Sequence, residues 1–392
     1  MRSCLPILRF HDQLDASMKH HLKWFQIYAF GLRRHHFADR KPADLVAICR
    51  NICGVQAQLM AAAEIALWAR RHDLTRASIH AALWENRSLV KTSCMRQTLH
   101  VIPAADFSIY ISALRKSRMA ALWRIMSRFG IAPKEVEVIN AAIVDALRGG
   151  PMPQRELTEQ ILPKVGKKLS AYMKLAWNIQ LFRPALVEGL ICYGPERDNK
   201  ATFVLADRWL SKQKAVAEAE AKQILLRRYL RAYGPATLQD FAKWMGLPMP
   251  EAKEVWISQQ TELIEVYGED EKRFILREDY DELLDSKIDE QILRLLPHFD
   301  AYLLGHADKN HLVDASHYKR VYRNQGWISP VVLLDGRVIG IWSYQRRGKN
   351  WLLEIVPFEK FSKTIQAKIA AEAASLGKFL ETSWEIKFNK KP

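Results

Sequence analysis

The sequence predicts an α+β protein in which helical units each close on a β-hairpin and a β-rich unit ends the chain. Three observations predict it. First, one local pattern occurs twice. Leu147-Arg148-Gly149-Gly150-Pro151 leads into an amphipathic stretch at 154–162, and Leu230-Arg231-Ala232-Tyr233-Gly234-Pro235 leads into another at 237–245. Both end a helix at Leu-Arg, turn at Gly-Pro and restart behind a polar cap. Second, a pair of strand-like runs follows each repeat. Third, the texture changes after Ile288 to apolar runs, two of them split by Asp335-Gly336, a strong hairpin signal.

In chain order, the N-terminal segment reads as helices at 21–30, 43–49 and 57–70, then strand-like pieces at 89–92 and 95–102. A basic helix carrying Arg115, Lys116, Arg118, Arg124 and Arg128 follows. After the first Gly-Pro turn come the helix at 154–162, helices across 171–186, and a hairpin pairing 189–193 with 201–205. After the second turn come helices at 237–245 and 249–260, then a hairpin pairing 263–267 with 272–276. The two turns lie 84 positions apart, room for one unit each. Helix, turn, helix, helix and hairpin is the winged-helix plan. The expected division is winged helix 1 over 1–135, winged helix 2 over 136–215 and winged helix 3 over 216–287. Residues 288–392 are expected to form a β-rich, barrel-like unit, with a hairpin pairing 327–334 with 338–342, another strand at 351–356 and a closing helix at about 362–376.

The chain has 392 residues, 49% hydrophobic and 26% charged, a composition that excludes disorder and a disulfide miniprotein. Lys and Arg number 59 against 43 Asp and Glu, a net charge of +16. Such an excess points to a polyanionic partner, nucleic acid ahead of an anionic membrane, or else to a basic protein with no such partner. Cys4, Cys49, Cys53, Cys94 and Cys192 are odd in number and scattered, so they read as reduced thiols. No Cys/His spacing completes a zinc site, and no metal or cofactor is expected. The first ten residues carry no signal-peptide pattern, and the most apolar stretch, 59–69, is short and broken by Glu64. The expected location is the cytoplasm, on the nucleoid, with no membrane partner.

The chain lacks Gly-x-Ser-x-Gly, a phosphate loop and His-Glu-x-x-His, which sets aside a serine hydrolase, an ATPase and a zinc hydrolase. What remains is Gln56-Ala57-Gln58 after Gly54, at the expected start of a helix. Amides at i and i+2 do not share a helix face. At a helix entrance they either converge on one water or sugar, or simply cap the helix and face solvent.

The Gly54-Val55-Gln56-Ala57-Gln58 stretch, the run from Met95 through Ala104, and Leu-Leu-Pro-x-Phe-Asp-x-Tyr-Leu-Leu-Gly-His at 295–306 resemble the AlkZ-like family of bacterial winged-helix DNA glycosylases. Tyr-Gly-Pro-Ala-Thr at 233–237 and the hairpin from Trp327 to Trp342 resemble it too, so the likeness spans roughly residues 21 to 360. The resemblance implies tandem winged helices and a β-barrel-like part around a concave channel for double-stranded DNA. It implies a monofunctional glycosylase that releases N-alkylated purines and unhooks interstrand crosslinks; a monomer is expected. Its active-site motif is Gln-x-Gln in one branch and Gln-x-Asp in the other; Gln56 and Gln58 match the first, so the resemblance implies that they are the catalytic residues.

Two neutral amides suit that chemistry. A purine alkylated at N7 or N3 is cationic and leaves readily, so the protein needs only to orient a water toward the anomeric carbon. Lys91 and Lys116 read as phosphate contacts rather than Schiff-base nucleophiles, because nothing beside either suggests a lowered pKa. Arg96 and His100 alternate with Thr98 along an expected strand, where they either reach DNA or brace the wing. Arg115, Lys116 and Arg124, with Lys164, Lys167 and Lys168 and the turn Arg346-Arg347-Lys349, are candidate DNA-binding cations. The alternative readings are a non-catalytic winged-helix DNA-binding protein, such as a transcriptional regulator, or an RNA-binding or scaffolding module. A pure binder has no use for the glutamine pair.

Overall fold

Gly54 is where the site begins. It adopts φ +91, and a Cβ there would lie 2.8 Å from the Ile102 side chain and 3.1 Å from the Val101 carbonyl. Only glycine permits both the left-handed backbone and this approach. The chain therefore turns out of the helix Leu45–Asn51 directly into strand β1, Val55–Gln56, instead of into a helix. A computed structural model provides this structure and describes residues 21–40, 42–166, 179–268, 271–347 and 350–389.

β1 pairs antiparallel with β3 (Leu99–Pro103), which pairs with β2 (Leu89–Ser93). The sheet then continues into the second unit. β2 meets β5 (Ile191–Arg197) through Lys91 and Tyr193; β5 pairs with β6 (Lys200–Leu205), and β6 with β4 (Met152–Pro153). The two hairpins expected to stand apart thus form one six-stranded sheet, ordered β1-β3-β2-β5-β6-β4. The third hairpin, β7 (Leu263–Tyr267) with β8 (Lys272–Leu276), is a separate two-stranded sheet with the expected ends, bridged at its edges by His21 and Ala236.

Several expected ends shift. The helix expected from 57 runs Met60–Trp68, because the Ala57 N–H still bonds across to the Leu99 carbonyl at 2.7 Å. The strand expected from 95 starts at Leu99, because Met95–Gln97 curl into a 3-10 turn with positive φ at Arg96 and Gln97. The expected first helix runs Trp24–Arg34. Of the helices expected across 171–186, Ile179–Val187 is helical and 171–178 lie outside the described residues.

The C-terminal unit is β-rich but not a barrel. Its five strands, β9 (Leu293–Leu296), β10 (Val331–Leu334), β11 (Arg337–Arg347), β12 (Asn350–Pro357) and β13 (Trp384–Phe388), run in the order β13-β12-β11-β10-β9 with two open edges. The helix Lys363–Phe379 lays Ile369, Ala373 and Leu376 against the face that closure would enclose, in one core with Val331, Leu333 and Leu353. A sheet covered in this way needs no second wall.

The apolar cores cross the order of the chain. One joins Phe37, Ile48, Trp68 and Val101 to the C-terminal sheet. A second, on the other face of the six-stranded sheet, joins Val90 and Ile102 to Tyr110, Tyr229 and Trp244. A fully buried ion pair reinforces the first. Arg70 donates through Nη1 and Nη2 to the two oxygens of Asp300, each at 2.8 Å, and lies over the Phe37 ring. Among the described residues no helix is long and apolar enough to cross a membrane, and no His/Cys/Asp/Glu group could hold a metal ion.

Candidate active site

Strand pairing sorts the central side chains. Directly opposed residues of an antiparallel sheet share a face. Gln56, His100 and Thr92 form one row across β1, β3 and β2, while Val55, Val101, Lys91 and Tyr193 form the next, on the opposite face. Lys91 is therefore on the wrong side of the sheet to serve Gln56. Its environment also differs from the sequence expectation: it is buried, its ammonium lies 5.5 Å from the Tyr193 ring centre, and burial lowers its pKa.

The turn at Met95–Gln97 carries Arg96 in the left-handed region, φ 54, off the strand on which the sequence placed it. The turn is held by Cys94 N–H to the Thr98 carbonyl at 2.9 Å and Thr98 N–H to the Met95 carbonyl at 3.0 Å. Arg96 points inward. Its Nη1 donates to the Trp244 carbonyl at 2.7 Å, and its Nη2 donates to Gln56 Oε1 at 3.2 Å and lies 3.4 Å from His100 Nε2. Trp244 is in the last turn of the helix Leu238–Met245, whose negative dipole end suits a guanidinium. That helix stops at Gly246, φ +78, where a Cβ would come within 3.1 Å of both N and Cα of Arg96. A glycine at this point lets the turn seat against the helix end.

The same bonds settle the His100 tautomer. Its Nδ1 lies 3.1 Å from the Thr98 carbonyl, which only accepts, so Nδ1 carries the proton and Nε2 accepts from Arg96. Burial, then the Arg96 charge, pushes its pKa down to about 3, so the ring is neutral. Burial also brings Arg96 down to about 10, which leaves it cationic at neutral pH.

The glutamines differ in exposure and agree in anchoring. Gln56 is 6% exposed, with Oε1 held by Arg96. Gln58 is exposed, and its Oε1 accepts the Leu99 N–H at 2.9 Å. Both protein partners only donate, so both carboxamides are fixed in flip, oxygen toward 96–100. A hydrogen bond from a charged donor contributes about 1.5–3 kcal/mol, which favours the observed flip of Gln56 about tenfold or more. The i, i+2 spacing that separates side chains on a helix thus brings both amides to the leading end of β3, because the backbone here is extended.

The other expected cations disperse. Arg115 and Lys116 are exposed on the helix Phe107–Met126, Arg115 lying 3.9 Å from Glu188, and Arg124 is exposed on its last turn. Arg118, on the same helix, is buried and donates to the Ser93 carbonyl and hydroxyl at 2.8 and 2.5 Å. Lys164 pairs with Asp145 at 2.6 Å, Arg346 and Arg347 are exposed at the end of β11, and Lys167, Lys168 and Lys349 lie outside the described residues. The sequence offered no sign of the Trp244 carbonyl or the Leu99 amide, which are backbone groups; the glycine at 246, which the sequence reading passed over, is the residue type that records the close contact.

The chain is similar to known proteins over most of its length. A family model described as DNA glycosylase AlkZ-like matches residues 49–379. The chain is 31% identical over 364 residues to an interstrand DNA cross-link repair glycosylase of Streptomyces sahachiroi, covering 91% of this chain and 96% of that protein. The solved structure of Streptomyces sahachiroi DNA glycosylase AlkZ superposes with a TM-score of 0.82 at 28% identity, over 95% of this chain and 100% of that one.

Proposed function

The chain belongs to the AlkZ-like DNA glycosylase family, and from that premise we propose that it hydrolyses the N-glycosidic bond of N-alkylated purines in duplex DNA, bulky adducts and interstrand crosslinks included. As a DNA glycosylase it is a hydrolase of N-glycosyl bonds, and its substrate is DNA. The single observation that carries the finer reading is the pair of flip-locked carboxamides at the head of β3.

A neutral amide is the right tool for a cationic leaving group. The alkylated purine already holds the positive charge that other glycosylases must create by protonation, so a strong acid adds little. Each glutamine oxygen keeps one lone pair after its bond to the protein. Together these two lone pairs hold the protons of one water and turn that water's own lone pair toward the anomeric carbon, without setting a full charge beside an oxocarbenium-like transition state. Neutral lesions such as uracil lack the leaving-group charge and are poor substrates in this scheme.

Arg115, Lys116, Arg124, Arg346 and Arg347 contact DNA phosphates, and so do Lys167 and Lys168. Winged helices over 1–135, 136–215 and 216–287 frame an open channel, and the enzyme works as a monomer on the nucleoid, in the cytoplasm. The test uses two duplexes, one with a single N7-alkylguanine and one with a single uracil, each incubated with the protein and then heated in alkali. Strand breaks at the alkylguanine alone are expected. Breaks at neither, with tight binding to both, would establish the non-catalytic DNA-binding alternative.

A further inference from the structure

Arg96 is the unexpected member of the site. A basic residue in a DNA-binding protein is ordinarily offered to phosphate on the surface. This one is turned inward, and every acceptor it reaches is neutral: the Trp244 carbonyl, the Gln56 amide oxygen and the Nε2 of a neutral His100. The fold builds for it a left-handed turn at Met95–Gln97 and a glycine at 246 against which that turn seats.

We propose that Arg96, steadied by His100 and by the Trp244 carbonyl, is a positioning residue that fixes the flip and rotamer of Gln56 and so decides which end of that amide meets the water. This rests on the function proposed above. With Arg96 in place, the oxygen of Gln56 is the fixed end. Without it nothing distinguishes the two ends, and a flipped amide presents N–H donors that engage the very lone pair with which the water must attack. His100 has a matching role. With its proton on Nδ1 it can only accept at Nε2, so it holds the guanidinium in plane and adds no second positive charge near a cationic nucleotide.

The test is a double-mutant cycle read in single-turnover rates on the duplex with one N7-alkylguanine, together with the Kd for that duplex and its salt dependence. Arg96→Met is expected to lower the rate about tenfold or more while leaving Kd within about twofold. In the Gln56→Ala background it is expected to lower the rate no further, because two residues acting through one group are non-additive. Arg96→Lys, which cannot span both acceptors with one ammonium, is expected to recover only part of the loss; it serves as the decisive variant if Arg96→Met does not fold. A phosphate contact would instead show as weaker binding with the salt slope reduced by about one, and a purely structural role as additive loss; either result overturns the proposal. A Gln56→Ala variant at the wild-type rate would remove the function proposed above along with it. A slow Gln56→Ala beside an Arg96→Met at the wild-type rate would remove this inference alone.

Discussion

Two of the arginines that turn inward in this molecule, Arg70 and Arg96, are held differently. Arg70 faces both oxygens of Asp300, accepts the company of the Phe37 ring, and ties the N-terminal helices to the C-terminal sheet. Arg96 faces only neutral acceptors. A desolvated cation matched by a carboxylate is compensated where it stands; one matched by a carbonyl, an amide and an imidazole is not. The first arrangement holds a fold together. The second spends stability to hold something else still, and what it holds is Gln56.

Substitutions on the two sides separate these roles, and loss of the glutamines moves the most. Removing both amides with Gln56→Ala/Gln58→Ala is expected to cost about 10²-fold or more in the rate of base release, measured as abasic sites formed per minute. Breaking the structural pair with Asp300→Asn is expected to cost about 3–5 kcal/mol in denaturant unfolding, because it strands a buried charge. Its rate per folded molecule should stay at the wild-type value, and a selective loss of rate would blur the distinction between the two arginines. Gly246→Ala combines a left-handed backbone with a contact on Arg96; about 1 kcal/mol of stability and a partial copy of the Arg96→Met rate defect are expected.

Acid should reveal a further effect. His100 and His306 are both held down at about pKa 3, in each case chiefly by burial. The unfolded chain takes up protons near pH 6.5, the folded one only near 3. Their contribution to stability is therefore complete above about pH 6.5 and is lost as pH falls toward 3. His100→Asn should flatten that slope in a pH series of unfolding curves. A slope unchanged by the substitution would mean that His100 titrates normally.

The third hairpin and the helices before it were the most legible part of the sequence. Thr237 and Asp240 cap the helix Leu238–Met245 reciprocally, and the strands alternate and turn where local chemistry says they should. The N-terminal region was less legible because its structure is set by distant partners. Gln56 and Gln58 read as a helix entrance, and become strand and loop only because β3 lies alongside. The fusion of two hairpins rests on a single cross-strand contact, Lys91 with Tyr193, that no local pattern announces. β13 was missed although Trp384, Ile386 and Phe388 alternate as a strand should. At the site, the glutamines stood out by type and spacing. Arg96 and His100 were marked as candidates, but their inward direction depends on a carbonyl at the end of a helix far along the chain. Of the motifs that carried the family resemblance, the run at 295–306 serves mainly the fold, since its Asp300 is the partner of Arg70.

In the proposed reaction two uncharged side chains aim the hydrolytic water. Its most direct measurement is the single-turnover rate of base release from a duplex with one N7-alkylguanine, wild type against Gln56→Ala/Gln58→Ala, at protein concentrations that saturate the DNA in both. A rate lower by about 10²-fold at equal occupancy is expected. Equal rates at saturation, with the entire defect in affinity, would contradict it and return the glutamines to the role of binding contacts.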